Sequence, residues 1–168
     1  MIYAFDTYYF DDKARTACVA FQNWEDKEPF QIYIKYHTDI EDYKSGEFFK
    51  RELPCILDAL KDIPLTENDT IIVDGYVVLN NDYKYGLGAY LYEALDKRIP
   101  VIGVAKNLYK EANQYRLALV RGDSGKPLYI TSLGIDIHEA YDNIRKMDGL
   151  YRMPTLLKRL DQLSRGIE

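Results

Sequence analysis

Two continuous apolar runs with an amphipathic one between them constrain this chain more than any other feature. TIIVDG (70–75) and PVIGVAK (100–106) leave no polar face, so both read as strands buried on two sides. Between them, GLGAYLYEALDK (86–97) puts Leu87, Leu91, Ala94 and Leu95 on one helical face. Strand, helix and strand in that order make a parallel crossover unit, which requires a sheet covered by helices.

Upstream lie three strand-like runs, 2–9 (IYAFDTYY), 14–21 (ARTACVAF) and 30–36 (FQIYIKY), joined by short turn-rich links. Strands connected this closely favour an antiparallel meander. A polar loop, HTDIEDYKSGE, then leads to a helix predicted at roughly 52–62, where Leu53, Ile56, Leu57 and Leu60 share a face. Pro54 suits only the first turn of such a helix. Downstream, 115–122 and 127–131 bracket DSGK as a hairpin. Two closing helices are marked by Ile137, Ala140, Tyr141, Ile144 and Met147, and by Leu156, Leu157, Leu160 and Leu163 after Pro154. No repeat, biased segment or linker interrupts the series, so residues 1–168 are expected to form a single domain. The order βββ-α-β-α-β is that of the ribonuclease H-like fold. This predicts an α/β architecture: a central mixed five-stranded sheet with flanking helices, plus an additional hairpin. In that architecture the first strand lies beside the strand that follows the first helix.

Composition narrows the function class. The net charge of −5 argues against nonspecific coating of nucleic acid. The charge is uneven, however. Residues 1–70 carry 8 Lys/Arg against 15 Asp/Glu, whereas 144–165 carry Arg145, Lys146, Arg152, Lys158, Arg159 and Arg165 against Asp148 and Asp161. That basic stretch is either a solvated helix face or a contact for phosphates. The 16 tyrosines divide between core and base-stacking roles, which composition cannot separate. Cys18 and Cys55 sit in apolar runs without zinc-ligand spacing and read as buried free thiols of a reducing compartment. No apolar run approaches membrane length, and the N-terminus lacks the basic start of a signal peptide. A cytoplasmic monomer with no membrane association is expected. His37, in a polar context, is expected to be solvated.

The acids carry the chemistry. Asp6 lies inside the first apolar strand, and Asp74 ends IIVDG. An acid in an apolar strand is costly unless paired or metal-bound. Two acids on adjacent strands repel, and a divalent cation reverses that penalty. Glu52, where a loop becomes the first helix, either complements the helix macrodipole or supplies a third ligand. Oxygen ligands suit magnesium or manganese, and such a site activates water and stabilises a leaving oxygen in phosphodiester hydrolysis. Lys106, closing GVAK, is placed to neutralise phosphate charge. Each of these residues also has an ordinary reading, Asp74 as turn chemistry before Gly75 and Lys106 as a snorkelling strand end.

The segments AFDTYYF, YKSGEFFKRELPCIL, IIVDGYV, YGLGAYLYEAL, VIGVAKN, KPLYITSLG and GLYRMPTLLKRLDQL resemble the endonuclease V family, in the family's order and over nearly the whole chain. The resemblance implies a magnesium-dependent nuclease that recognises inosine, the deaminated form of adenine, in DNA or RNA. It implies cleavage on the 3′ side, one nucleotide beyond the altered base. The family's metal-binding acids fall on Asp6, Glu52 and Asp74, and its lysine on Lys106. Its strand-separating wedge falls near Tyr43, Lys44, Ser45 and Gly46, and its base pocket near Gly75, Val77 and Gly86.

The chain departs from the family pattern in four places. The wedge keeps its tyrosine but not its prolines. Val77 stands where the family has a second glycine, and Asn80 where it has a histidine. No histidine directly follows Gly134; Asp136 is the nearest substitute ligand, ahead of His138, and both also suit a helix start. A nucleic-acid-binding module of the same fold, with weak or lost catalysis, is the alternative to a working nuclease.

Overall fold

A computed structural model describes residues 1–38 and 48–167. Three antiparallel strands open the chain: β1 (Ile2–Phe10), β2 (Lys13–Phe21) and β3 (Gln31–His37). Helix α1 (Phe48–Leu60) leads to β4 (Thr70–Asp74), which pairs in parallel with β1. Helix α2 (Leu87–Ala94) then crosses to β5 (Val101–Ala105), parallel to β4. The hairpin β6 (Leu117–Leu119) and β7 (Leu128–Leu133) follows, then α3 (Ile137–Arg145) and α4 (Thr155–Ser164).

The five expected strands take the expected order, but the hairpin is not separate from them. β7 pairs antiparallel with β5, giving one seven-stranded sheet in the order β3-β2-β1-β4-β5-β7-β6. The reason lies in the hairpin's own residues. Leu128 and Ile130 are fully buried against Ala140 and Ile144 of α3, which a free-standing hairpin could not achieve.

Strand alternation divides the sheet into two faces. Tyr3, Phe5, Ile71 and Val73 pack with Ile56 and Leu60 of α1 and with Leu87 and Leu91 of α2. Ile2, Ala4, Ile72 and Ile102 face the other way, onto Ile144 of α3 and Leu156 and Leu160 of α4. Each face is therefore covered by a pair of helices.

Two local expectations change. Helix α1 begins at Phe48, so Pro54 lies well inside it and Glu52 is a helical residue, not one at a loop–helix junction. Tertiary contacts hold the added turn: Phe49 stacks on Tyr90 of α2 at 4.0 Å between ring centroids, and the Arg51 guanidinium lies 3.5 Å above the Tyr9 ring. His37 is not solvated. Its side chain is 8% exposed, with Nε2 2.9 Å from the Thr16 hydroxyl and Nδ1 3.4 Å from Asp58 of α1. Burial depresses its pKa.

Candidate active site

Register brings the first two acids together. Phe5 and Val73 are partners across the parallel β1–β4 pair, and Asp6 and Asp74 are the next residues on each strand. Both share the parity of Ala4 and Ile72, so both point to the α4 face. Asp6 is only 8% exposed; Asp74 is half-buried at its strand end, where Gly75 turns the chain with φ of 118°. The two carboxyl groups are close enough for each to act on the other's ionisation. Burial, and next the charge of Asp74, push the Asp6 carboxyl up to about 7. Burial raises Asp74 as well, with Lys106 pulling the other way.

Glu52 comes from α1, one turn before the fully buried Ile56 and on the same stripe. It is 1% exposed, and its Oε1 has no hydrogen-bond partner. Burial, followed by the charges of Asp74 and Asp6, holds its carboxyl well above the usual range. Among the described residues, no three acidic, His or Cys side chains already stand in a ligating cage. Asp6 and Asp74 act on each other, and Glu52 feels both charges through space.

A narrow cleft of about 290 Å³, counting its open mouth, passes over Asp6 and Asp74 and continues beneath α4. Lys106, just beyond β5, lines it and pairs with Asp161 of α4 at 3.6 Å. Asp161 is the functional candidate that sequence reasoning missed. It lines the cleft, its charge acts upward on both Asp6 and Asp74, and Arg165 holds it at 3.3 Å. One turn after Leu160, Ser164 donates a hydrogen bond of 2.8 Å to Asp6. Spacing held a signal for both: Asp161 and Ser164 lie four residues after Leu157 and Leu160, along the stripe that faces the sheet.

The remaining expected site residues lie elsewhere. Asp136 caps α3, accepting from the backbone N–H groups of His138 and Glu139, and neither Asp136 nor His138 lines the cleft. Val77 is 0% exposed and belongs to the core under α2, so its side chain offers no surface to a base. Gly86 is buried at the start of α2, where a Cβ would collide with the Tyr76 carbonyl; it too is a packing residue. Asn80 ties a tight turn by accepting from the N–H groups of Asp82 and Lys84. Tyr43, Lys44, Ser45 and Gly46 lie outside the described residues. Arg152, from the late YRMP segment, braces the site from behind by donating to the carbonyls of Lys106 and Pro127. Because Val77 is core, Val77→Gly is expected to cost about 2–4 kcal/mol of stability through the cavity and the freer backbone. Chemical denaturation measures it; an unchanged midpoint would return Val77 to a surface role.

The donor set fits a hard divalent cation. Asp6 and Asp74 meet where burial disfavours negative charge, Glu52 feels both charges, and one of its buried carboxylate oxygens lacks any partner.

Comparison with known proteins places the chain. The family model for Endonuclease V matches residues 1–124. The Endonuclease V proteins of Nostoc punctiforme and Trichormus variabilis are each 27% identical over 173 residues, covering 92% of this chain and 76% of their own length. The chain's fold is similar to that of Ciona intestinalis Endonuclease V, solved with a 24mer DNA containing an inosine followed by a ribo-adenosine. The TM-score is 0.80 at 16% identity, covering 98% of this chain and 84% of that one. For Bacillus subtilis Endonuclease_V the TM-score is 0.75 at 20% identity, with 98% and 78% covered. For human ENDOV it is 0.71 at 21% identity, with 98% and 82% covered. With the family's pattern matched across most of its length, this chain belongs to the endonuclease V family.

Proposed function

We propose that this nuclease hydrolyses a phosphodiester near inosine in DNA or RNA, using a divalent cation held by Asp6, Glu52 and Asp74 with Asp161 as a fourth carboxylate. The observation that carries the reading is the meeting of Asp6 and Asp74 on adjacent parallel strands, with a buried and unsatisfied Glu52 behind them. Bound there, magnesium or manganese supplies an activated water and charge neutralisation at the leaving oxygen. Ser164 fixes the Asp6 carboxylate, and the wall of Leu157, Leu160 and Met153 excludes bulk water from one side. Lys106, half-exposed and paired with Asp161, is placed to exchange that partner for a phosphate oxygen of the substrate. The inosine in the DNA bound by the Ciona enzyme supports the choice of base. Residues 1–168 would act as one domain. Buried free thiols at Cys18 and Cys55 accord with a cytoplasmic setting, and no helix among the described residues is long and apolar enough to cross a membrane.

The direct test is incubation of oligonucleotides carrying inosine, adenine or guanine at one position with magnesium and then manganese. Cleavage near inosine supports the reading. Binding without cleavage would assign the chain to a module that has lost its chemistry.

Arg145, Lys146, Lys158 and Arg159 are exposed on α3, α4 and the turn after α3. If they meet the backbone, neutralising all four should flatten the slope of log affinity against log salt by about 0.7 per lost contact on single strands. An unchanged slope assigns them to a solvated face.

A further inference from the structure

On the α4 face, a row of aromatic and cationic side chains runs from the candidate active site to the open edge of the sheet. Tyr8 is two residues beyond Asp6, on the same face of β1, and is paired in register with Arg15 of β2; Arg15 is paired in turn with Tyr36 of β3. Phe10 and Lys13, two register positions farther on, share that face. The Arg15 guanidinium sits between two rings, 5.0 Å from the centre of Phe10 and 5.2 Å from that of Tyr36. Tyr8 and Phe10 stack with their planes 23° apart, and Arg165 lies 5.4 Å over Tyr8. The row is open at both ends: Tyr8, next to the site, is 39% exposed and Tyr36, at the sheet edge, is 66% exposed.

The row is joined to the site through Ser164 and through Arg165, which lies over Tyr8 and pairs with Asp161 of the cleft. Ser164 donates its hydroxyl to Asp6, and its carbonyl accepts from Arg15 at 3.0 Å. Arg15 is thus held in place before any ligand arrives. We infer that this row is the platform on which the unpaired flank of the substrate strand stacks as it leaves the candidate active site. The inference rests on the function proposed above and adds the path of the strand to it. Aromatic faces accept any base, and Arg15, Arg165 and Lys13 supply the positive charge that a phosphate backbone needs. A duplex hides its base faces, so the occupant is single-stranded. Three strands span about 10 Å, enough for two or three bases stacked at ~3.4 Å. Asp11 and Asp12, in the turn beyond Phe10, repel phosphate and direct the strand toward β3.

The test lengthens an inosine-containing single strand one nucleotide at a time on either side. Affinity is read by fluorescence anisotropy with calcium in place of magnesium, and cleavage is read in parallel with magnesium. The intact protein should gain affinity as one flank grows by two or three nucleotides. Tyr36→Ala and Tyr8→Ala should each lose roughly tenfold of that gain, and Tyr36→Trp should restore it. The inference is overturned if the gain is the same in the variants. It is also overturned if affinity falls equally at every length together with the melting temperature, which would make the row a brace for α4. A self-associated species that Tyr36→Ala dissociates in sedimentation would overturn it too, and assign the row to contacts between copies. Length-dependent binding without cleavage would sink the catalytic reading alone, and absence of both would sink the two together.

Discussion

Asp74→Asn is expected to lower magnesium-dependent cleavage by roughly a thousandfold or more, equivalent to about 4 kcal/mol of lost transition-state stabilisation, while the metal-free protein melts higher. The two effects share one cause. Asp74 adds a charge to a pocket where Asp6 and Glu52 are already buried, and both carboxyls are pushed upward in part by its presence. An amide keeps the shape, donates to Asp6 and removes the repulsion. Relief of about 1–2 kcal/mol raises Tm by roughly 3–8 °C in a chain of this size. Paired measurements decide the matter: a cleavage time course with magnesium and a thermal melt in chelator. Retained cleavage would exclude Asp74 from the chemistry. Lost cleavage with a lower Tm would show only a damaged fold.

The meeting of Asp6 and Asp74 was legible in the sequence because it depends on two robust features. Apolar runs locate β1 and β4, and the strand order of the fold makes them neighbours. Glu52 was legible as a buried acid, but its helix was not. Propensity and Pro54 argue for a later start, whereas stacking of Phe49 on Tyr90 and of Arg51 on Tyr9 extends α1 upstream. Contacts of that kind join residues 41 or more positions apart and leave no local trace. The burial of His37 between Thr16 and Asp58 is hidden for the same reason.

Asp161 was missed for a different reason. On α4 it reads as one acid among basic neighbours, balanced by Lys158, Arg159 and Arg165. Its spacing from Leu157 puts it on the sheet-facing stripe, and the packing of α4 against β1 and β2 turns it toward the cleft. Val77 shows the converse error. The family resemblance implied a base-pocket residue there, but β4 has already ended and the chain after Gly75 dives under α2, where Gly88 makes room for Val77. The Val77 side chain, sealed in the core, therefore presents no surface to a base.

The metal-free protein is expected to lose stability as pH rises from about 4 to 7, and a divalent cation is expected to return it. Asp6 titrates near 7 in the folded protein, against an ordinary carboxylate value of 3.8. A folded carboxyl that holds its proton more tightly than the unfolded chain favours folding below the unfolded pKa. That advantage disappears as pH climbs through the folded value. Asp6, Glu52 and Asp74 all act in this direction. Asp6→Asn removes the titrating group. In chelator, its stability relative to the parent should grow steadily between pH 4 and pH 7. A cation at a hundred times its dissociation constant stabilises the parent by about 2.7 kcal/mol. With magnesium present, the order at pH 7 should reverse or close, since the parent binds the ion and the variant binds it weakly. Thermal melts of both proteins at several pH values, with chelator and with magnesium, measure every arm of this prediction. A parent whose chelated stability is flat from pH 4 to 7, or whose melting ignores magnesium at pH 7, would mean that the carboxylates do not form a cation site.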